Sequence, residues 1–250
     1  AAFNGVGSFG SYHAAAADPR VEAMYLCTPH HLHQEHVAMA AGAGKHILVE
    51  KPIARTLQEA RAMIEAAGRA GVTLMVAENF RFMSGARRAK ALIDSGAIGD
   101  LRLVQLQKEA PFQPEQWRNS RELNGGGVFI DGGIHKIDVL LFLAGRPEHI
   151  YAAPLPPGLD GLDAEDGLVV VTRSAGGVVG LINHSWTGAT RLHPMWVSVS
   201  GTRGRIYFEP GAPSLRVDDG CSERTLSLPD DQYGLVPMVA EFRDSIREGR

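Results

Sequence analysis

Two short stretches of the sequence carry charged side chains at positions where they could perform acid–base chemistry. In the first, Glu50, Lys51 and Pro52 directly follow an apolar run at residues 46–49. That run predicts a short strand, and Pro52 fixes the turn after it because its ring locks φ and removes a backbone donor. Open α/β sheets bind their ligands at the carboxyl ends of such strands. An exposed ion pair, which would stabilise the protein little, is the alternative that these residues leave open.

The second stretch presents carboxylates and an imidazole together. Asp131, His135 and Asp138 are spaced at i, i+4 and i+7, which predicts that they share one face of a helix. A neighbouring carboxylate orients a histidine and stabilises its charged form, so the group suits proton transfer near neutral pH. Gly132 and Gly133 beside this face indicate that another group approaches the backbone closely. A purely structural Asp–His contact is the alternative.

The elements that must position these residues alternate in the first third of the chain. Apolar runs at residues 23–27, 46–49 and 72–77 predict strands, with helical patterns between them. Short links of this kind predict parallel strands joined by right-handed crossovers. Such folds bind ligands at the edge where the strands end. The residues expected at that edge are Thr28, Pro29, Glu50, Lys51, Glu78 and Asn79.

The helix before the third strand has a clear start and end. Thr56 and Glu59 form a capping box, and Gly71 closes the helix. Four apolar side chains at helical spacing predict the face that packs on the sheet. They are Ala60, Met63, Ile64 and Ala67.

After Asn79 the pattern changes to a helix at residues 81–95 followed by strand-like runs. Short links between these runs predict antiparallel pairing. We therefore predict two domains, an α/β domain at residues 1–78 and an α+β domain at residues 79–250. Strands of the second domain are expected at residues 101–107, near 150, and at 168–172, 178–185, 196–200, 205–208 and 225–228.

Composition and charge narrow the class of protein. The chain has 250 residues, 44% of them hydrophobic and 21% charged, which is typical of a globular protein. A net charge of −3 gives no reason to expect nucleic acid or an anionic membrane as a partner. No apolar run is long enough to span a membrane. Cys27 and Cys221 do not form a disulfide pattern and fit a reducing compartment, so we expect a cytoplasmic protein.

Two further motifs lack the context that ligand binding would need. Residues 5–10 match the G-x-G-x-x-G spacing of a dinucleotide phosphate loop, but no strand precedes them, which indicates a Gly-rich connection. His31 and His33 could bind a metal as in a barrel hydrolase, but no matching ligand set follows downstream. We predict no metal site.

Taken together, the motifs closely resemble those of the Gfo/Idh/MocA oxidoreductase family. The resemblance rests on Thr-Pro-x-x-x-His at residues 28–33, Glu-Lys-Pro at residues 50–52 and Asp-x-Gly-x-His-x-x-Asp at residues 131–138. It implies a Rossmann domain followed by a domain with a large, open, mostly antiparallel sheet. It also implies hydride transfer between a nicotinamide, NAD or NADP, and a hydroxyl-bearing carbon of a sugar, cyclitol or related polyol.

The resemblance also implies catalytic roles. Lys51, Asp131 and His135 match the family's catalytic lysine, aspartate and histidine. His135 would be the general base with Asp131 orienting it, and Lys51 would hold the substrate hydroxyl and contact the cofactor. The roles of Lys51 and His135 could be exchanged, since both can relay a proton. Lys51, Arg118, Asp131 and His135 would bind the substrate.

The same resemblance places further residues beside the cofactor. Some match the loop that runs along it, and others match segments that border the nicotinamide and the substrate. The expected cofactor contacts are Thr28, Pro29, His33, Glu50, Lys51, Asn79, Trp117 and Arg118.

The family's glycine fingerprint lies farther upstream of Glu-Lys-Pro than residues 5–10 do. We therefore expect a fragment, cut at both ends, that lacks the first Rossmann strands and the phosphate loop and binds cofactor poorly by itself. The resemblance implies a homo-oligomer, a dimer or a tetramer. Two other functions on this fold stay open: an NAD-using glycosidase, and a non-catalytic sensor of a sugar or nucleotide.

Overall fold

The computed structural model describes residues 7–188 and 196–250, so Gly5 and Val6 of the G-x-G-x-x-G spacing lie outside it. The chain divides into two units, a first unit of Ala1–Ala77 with Phe242–Arg250 and a second unit of Glu78–Glu241. The domain division between residues 78 and 79 stays a prediction. Within the two described ranges, no helix combines the length and the apolar character needed to cross a membrane.

The first unit is a parallel α/β arrangement. In chain order it contains α1 (Tyr12–Ala17), β1 (Ala23–Leu26), α2 (His33–Gly42), β2 (His46–Glu50), α3 (Leu57–Ala70) and β3 (Leu74–Ala77). The strand order is β1-β2-β3 and both pairs are parallel, as predicted. The central strand, β2, has Ile47, Leu48 and Val49 buried, which fixes the position of its carboxyl end.

The helix α3 begins and ends as predicted, but fewer of its side chains are buried than predicted. Thr56 Oγ1 accepts a hydrogen bond from Glu59 N–H at 3.1 Å, and Gly71 ends the helix with a φ of 66°. Met63 is buried, whereas Ile64 is 58% exposed. The prediction for Ile64 is wrong because the residue after Met63 is turned by about 100° around the helix axis, out of the buried stripe.

The second unit is built on one eight-stranded sheet with the order β11-β10-β9-β8-β4-β7-β6-β5. All neighbours in it are antiparallel except β4 and β7, which confirms the predicted mostly antiparallel sheet. The strand β10 was not predicted. The remaining elements in chain order are α4 (Ser84–Asp94), β4 (Leu101–Glu109), α5 (Arg121–Asn124), α6 (Ile134–Ala144), β5 (Pro147–Pro154), β6 (Gly167–Ser174), β7 (Val179–Ser185), β8 (Trp196–Gly201), β9 (Arg205–Phe208), β10 (Ser214–Asp218), β11 (Glu223–Ser227) and α7 (Leu235–Glu248).

One face of this sheet packs against α6. Val104 and Leu106 of β4 share a buried cluster with Leu140 and Leu143 of α6. Gly180 of β7 permits a close approach, because a Cβ on it would lie 2.7 Å from the Leu140 side chain. The helix is thereby fixed over the centre of the sheet, and its first turn carries His135.

Candidate active site

The loop after β2 carries Lys51 on a turn that hydrogen bonds hold in place. Glu50 accepts from the Tyr25 hydroxyl and from the Lys51 backbone N–H, the latter at 3.2 Å. The peptide bond between Lys51 and Pro52 is cis. Because β1 and β2 pair in parallel, this turn lies at the same edge of the sheet as the loop that begins at Thr28.

His33 connects these two loops from inside the first unit. Its side chain is 0% exposed, with Nε2 2.8 Å from the Thr28 carbonyl oxygen and Nδ1 3.0 Å from the Pro52 carbonyl oxygen. Carbonyl oxygens only accept, so a neutral ring donates to one of them and a doubly protonated ring donates to both. The ring therefore supports the two loops, and its predicted contact with the cofactor stays a prediction. Among the described residues, no three His, Cys, Asp or Glu side chains are grouped as metal ligands.

His135 contacts the segment that follows β3. Its Nδ1 lies 2.8 Å from Glu78 Oε1, and its ring stacks on the Phe80 ring with centroids 4.0 Å apart and planes inclined by 13°. The carboxylate at Nδ1 is therefore Glu78, which corrects the prediction that Asp131 orients the ring. The physical reason is that the strand end after β3 brings a second, buried carboxylate to His135.

Asp131 lies one turn before His135, in a π-helical segment (Phe129–Gly133) where an α-helix was predicted. Its carboxylate Oδ2 is 3.5 Å from Arg118 Nε. The Arg118 guanidinium also lies over the Trp117 ring, 4.4 Å from its centroid. The structure thus brings three predicted residues together and gives the Asp131 carboxylate a cationic neighbour.

Glu165, which the sequence analysis missed, caps the segment that carries Asp131. Its carboxylate accepts from the N–H of Gly127 at 3.1 Å and of Phe129 at 3.2 Å, and its carbonyl oxygen accepts from Val128 N–H at 2.8 Å. Negative charge at the start of a helix is stabilising. A Cβ on Gly127 would lie 1.9 Å from the Glu165 carbonyl oxygen, so a side chain has no room there. The Gly-Gly-Gly run was the available sequence signal for this close approach.

A buried histidine of β7 supports the same segment. His184 Nδ1 lies 3.1 Å from the Lys108 carbonyl oxygen, and its ring abuts Gly132. Burial lowers the pKa of His184 to about 2, with the charge of Lys136 as a further cause. The neutral ring therefore donates from Nδ1 to Lys108 and leaves Nε2 without a proton beside Gly132.

Two other polar residues of the region make structural contacts. Asp138 forms a bidentate ion pair with Arg81, in which Nε lies 2.8 Å from Oδ2. Burial raises the pKa of Asp138, although the guanidinium acts in the opposite direction. Asn79, which was predicted to border the nicotinamide, donates its side-chain amide to the Tyr233 carbonyl oxygen at 2.7 Å. These contacts hold the segment after β3 on which Glu78 lies.

Comparison with known protein families accounts for both parts of the chain. Residues 1–78 match a family described as an oxidoreductase family with an NAD-binding Rossmann fold, and residues 86–207 match the GFO/IDH/MocA C-terminal domain. The chain belongs to the Gfo/Idh/MocA family. Membership confirms the resemblance, the Rossmann fold, the oxidoreductase class and the NAD(P) cofactor that the sequence analysis predicts.

Individual Gfo/Idh/MocA relatives extend this similarity over most of the chain. The 1,5-anhydro-D-fructose reductase of Ensifer adhaerens is 34% identical in an alignment of 255 positions that covers 97% of this chain and 75% of that protein. Levoglucosan dehydrogenase of Pseudarthrobacter phenanthrenivorans is 33% identical in an alignment of 218 positions that covers 76% of this chain and 56% of that protein. A solved structure of levoglucosan dehydrogenase with NADH and levoglucosan has a TM-score of 0.86 at 26% identity, covering 96% of this chain and 75% of that one.

In this Gfo/Idh/MocA chain, the described residues at the edge of the first sheet suit the polar groups of a nicotinamide cofactor. Both loops at the edge of the first sheet carry a side-chain donor, the Thr28 hydroxyl and the Lys51 ammonium, which suit an anionic and strongly polar group. Thr28 Oγ1 is oriented by His36 Nδ1 at 3.1 Å, and His33 fixes the backbone of both loops. Contacts within the first unit therefore hold the loops that carry these hydrogen-bond donors in place.

Proposed function

We propose that this protein is an NAD(P)-dependent oxidoreductase that transfers a hydride between the nicotinamide and a hydroxyl-bearing carbon of a sugar, cyclitol or related polyol. The observation that carries the proposal is His135, whose Nδ1 contacts a carboxylate while Nε2 makes no hydrogen bond to any described residue. That nitrogen can exchange a proton with a substrate hydroxyl. The names of two relatives, a reductase of an anhydro sugar and a levoglucosan dehydrogenase, support the substrate class.

Each candidate residue has a role in this reaction. In the oxidative direction His135 takes the hydroxyl proton at Nε2, and in the reductive direction it returns that proton. Lys51 holds the same oxygen and stabilises the developing alkoxide with its positive charge. Asp131 accepts and Arg118 donates hydrogen bonds to neighbouring hydroxyls of the polyol. The nicotinamide, when bound, supplies or removes the hydride.

Cofactor binding is assigned to the loops after β1 and β2 and to two segments of the second unit. His33 acts on the loops, because its ring nitrogens already face carbonyl oxygens. The residues proposed to touch the cofactor are Thr28, Pro29, Glu50, Lys51, Asn79, Trp117 and Arg118.

The test is a fluorescence titration of the full-length gene product with NADH and with NADPH, followed by a screen of sugars, anhydro sugars and cyclitols for a change in nicotinamide absorbance. We expect binding of one cofactor and net turnover with a polyol. Cleavage of a glycoside without net turnover would instead indicate an NAD-using glycosidase. A folded protein that binds neither cofactor would contradict the proposal and favour a sensor.

A homo-oligomer is part of the proposal, with the β5–β6 end of the large sheet as the contact surface. Tyr151 and Val171 are cross-strand neighbours there and are 69% and 39% exposed. A second copy would remove this apolar pair from water. Light scattering after size-exclusion chromatography should show a dimer or tetramer, and Tyr151→Glu should shift it to a monomer. An unchanged mass for that variant would exclude this surface.

A cytoplasmic location completes the proposal. Cys27 and Cys221 both carry free thiols, which suits a reducing compartment. Cell fractionation that places the protein in an exported fraction would contradict this assignment.

A further inference from the structure

We propose that Glu78 is a positioning residue for His135: its carboxylate holds the ring in the tautomer that carries its proton on Nδ1, which leaves Nε2 as the proton acceptor. This inference rests on the proposed function of His135 and adds to it a residue that the catalytic motif of the sequence does not contain. Glu78 lies 57 positions before His135 and does not touch substrate or cofactor in this assignment.

The direction of the hydrogen bond follows from the acceptor character of the carboxylate. Glu78 Oε1 lies 2.8 Å from His135 Nδ1 and also accepts from the backbone N–H of Phe80 at 3.1 Å. A carboxylate has no proton to donate, so Oε1 accepts in both contacts, and its contact with the backbone N–H of Phe80 agrees with this. The proton between Oε1 and Nδ1 therefore belongs to the histidine. A neutral ring carries one N–H, so Nε2 of His135 has no proton.

Burial of Glu78 and stacking of Phe80 stabilise the contact between Glu78 and His135. Glu78 is 8% exposed, and its other oxygen, Oε2, is buried and accepts no hydrogen bond from the described residues. Because Oε2 is unpaired among these residues, the two contacts of Oε1, with Phe80 N–H and His135 Nδ1, offset the cost of burying the carboxylate. Phe80 fixes the plane of the His135 ring by stacking on it, so the ring cannot rotate away.

Other charged groups face the pair, but none replaces Glu78 at Nδ1. Arg81 lies close to Glu78, yet its guanidinium is bonded to Asp138. Asp138 lies close enough to both Glu78 and His135 for electrostatic coupling, but in the described part of the chain its carboxylate is bonded to Arg81 and not to the ring. His184 is electrostatically coupled to His135 and Lys136, and burial keeps the His184 ring neutral. Glu78 is thus the carboxylate that can select the tautomer.

The contact has a chemical consequence for the proposed reaction. With Nδ1 protonated and held, His135 presents the Nε2 lone pair to a hydroxyl proton, and the resulting imidazolium lies against a negative charge. A carboxylate that fixes tautomer and stabilises the imidazolium is the third member of many nucleophile–histidine–carboxylate sites. Here the same physical arrangement would serve hydride transfer.

The first test measures the tautomer in the wild-type protein. Nitrogen-15 NMR of the histidine rings, with His135 assigned by comparison with His135→Gln, distinguishes a protonated Nδ1 from a protonated Nε2 above neutral pH. We expect the Nδ1–H form. Observation of the Nε2–H form would overturn the inference. This readout needs no substrate, so it stands even if the proposed polyol oxidoreductase activity fails.

The second test compares two variants of Glu78, one that loses the negative charge and one that also loses the hydrogen-bond acceptor. Glu78→Gln keeps an amide oxygen that can accept from both Phe80 and His135, so we expect the Nδ1–H tautomer to persist while kcat falls about 10-fold at constant KM. Glu78→Ala removes the acceptor, so we expect a mixture of tautomers and a fall in kcat on the order of 100-fold, within the range of general acid–base catalysis. A Glu78→Ala protein with the Nδ1–H tautomer and near-normal kcat would reject the assignment.

Asp138→Asn is the matched control. It makes the same carboxylate-to-amide change close to the ring without touching Nδ1, so the Nδ1–H tautomer should persist and kcat should fall less than in Glu78→Gln. If Asp138→Asn retains the Nδ1–H tautomer and lowers kcat as much as Glu78→Gln does, the effect is one of general charge and the positioning role is excluded. If Glu78→Ala does not fold, the comparison of Glu78→Gln with Asp138→Asn decides the question.

Discussion

Gly132 of the π-helical segment packs directly on the buried ring of His184: a Cβ on Gly132 would lie 2.6 Å from His184 Nε2. The two residues fix the distance between this segment and β7. Asp131 precedes Gly132 in the chain and His135 follows it by one turn, so the packing of one glycine sets the placement of both candidate catalytic side chains.

Gly132→Ala should therefore destabilise the second unit, although alanine is the better helix former. Overpacking a buried site costs about 1–3 kcal/mol, which exceeds the gain of up to about 1 kcal/mol from helix propensity. Urea unfolding followed by tryptophan fluorescence reports on this unit, since Trp117, Trp186 and Trp196 all belong to it. Gly176→Ala in the same unit, where a Cβ would lie 4.0 Å from its nearest neighbour, Ser174 Oγ, is the control and should be neutral or stabilising. Equal behaviour of the two variants would disprove the packing argument.

Lys51→Ala and His135→Ala should each lower turnover by roughly 10²–10⁴-fold while leaving the fold intact. The two variants should differ in cofactor affinity, because Lys51 is proposed to touch the cofactor and His135 is not. Initial rates from nicotinamide absorbance, NADH or NADPH titrations and circular dichroism give the three readouts. Lys90→Ala is the control, since Lys90 pairs with Asp94 on the surface of α4. Near-normal rates in either variant would show that the role assigned to that residue is wrong.

His33→Ala should weaken cofactor binding although His33 is buried. The change removes the donor from each carbonyl oxygen, Thr28 or Pro52, to which the ring donates, at a cost of about 1–3 kcal/mol per buried acceptor. We expect faster amide hydrogen exchange in the loops after β1 and β2, together with a higher Kd for the nicotinamide. His13→Ala on the exposed side of α1 should change neither quantity. Unchanged exchange in His33→Ala would mean that the ring does not hold the loops.

Stability of the second unit should fall as the pH falls from about 6.5, because of His184. Burial lowers the pKa of His184 from 6.5 to about 2 in the folded protein. Between these two pH values the His184 ring binds a proton in the unfolded chain but not in the folded chain. The loss amounts to about 2 kcal/mol at about pH 5. Urea unfolding between pH 5 and about pH 7.5 should show this slope in the wild type and a flatter one in His184→Gln. Parallel curves would exclude His184 as the cause.

Sequence patterns predicted the parts of the fold that local interactions determine. The cap of α3 follows from Thr56 and Glu59, three positions apart, and the strand ends follow from apolar runs and turn residues. Ile64 was misplaced because spacing alone does not give the width of a buried stripe. The π-helical turn at Phe129–Gly133 was missed because one extra residue in a turn barely changes the hydrophobic pattern.

Partners of the candidate site residues were harder to predict. Lys51, Asp131 and His135 stand out through their motifs, but Glu78 has no signal beyond its place after a strand. Its contact with His135 joins positions 57 apart in the chain, and no local pattern specifies such a pair. Glu165 was missed for the same reason, since 38 positions separate it from Gly127. Motifs therefore indicate the reacting groups, and tertiary structure supplies the groups that orient them.

The parallel pair of β4 and β7 has a consequence for how the second unit folds. Every residue pair between these strands joins positions 76 apart, whereas β5–β6–β7 and β8 to β11 are runs of neighbouring antiparallel strands. Local runs close early and long-range pairs close late, because chain entropy must be lost before distant contacts form. On the ribosome β4 therefore has no partner strand until β7, 76 positions later, has been made. The strand near the centre of the finished sheet is thus the first of its strands to be synthesised but not the first to be paired.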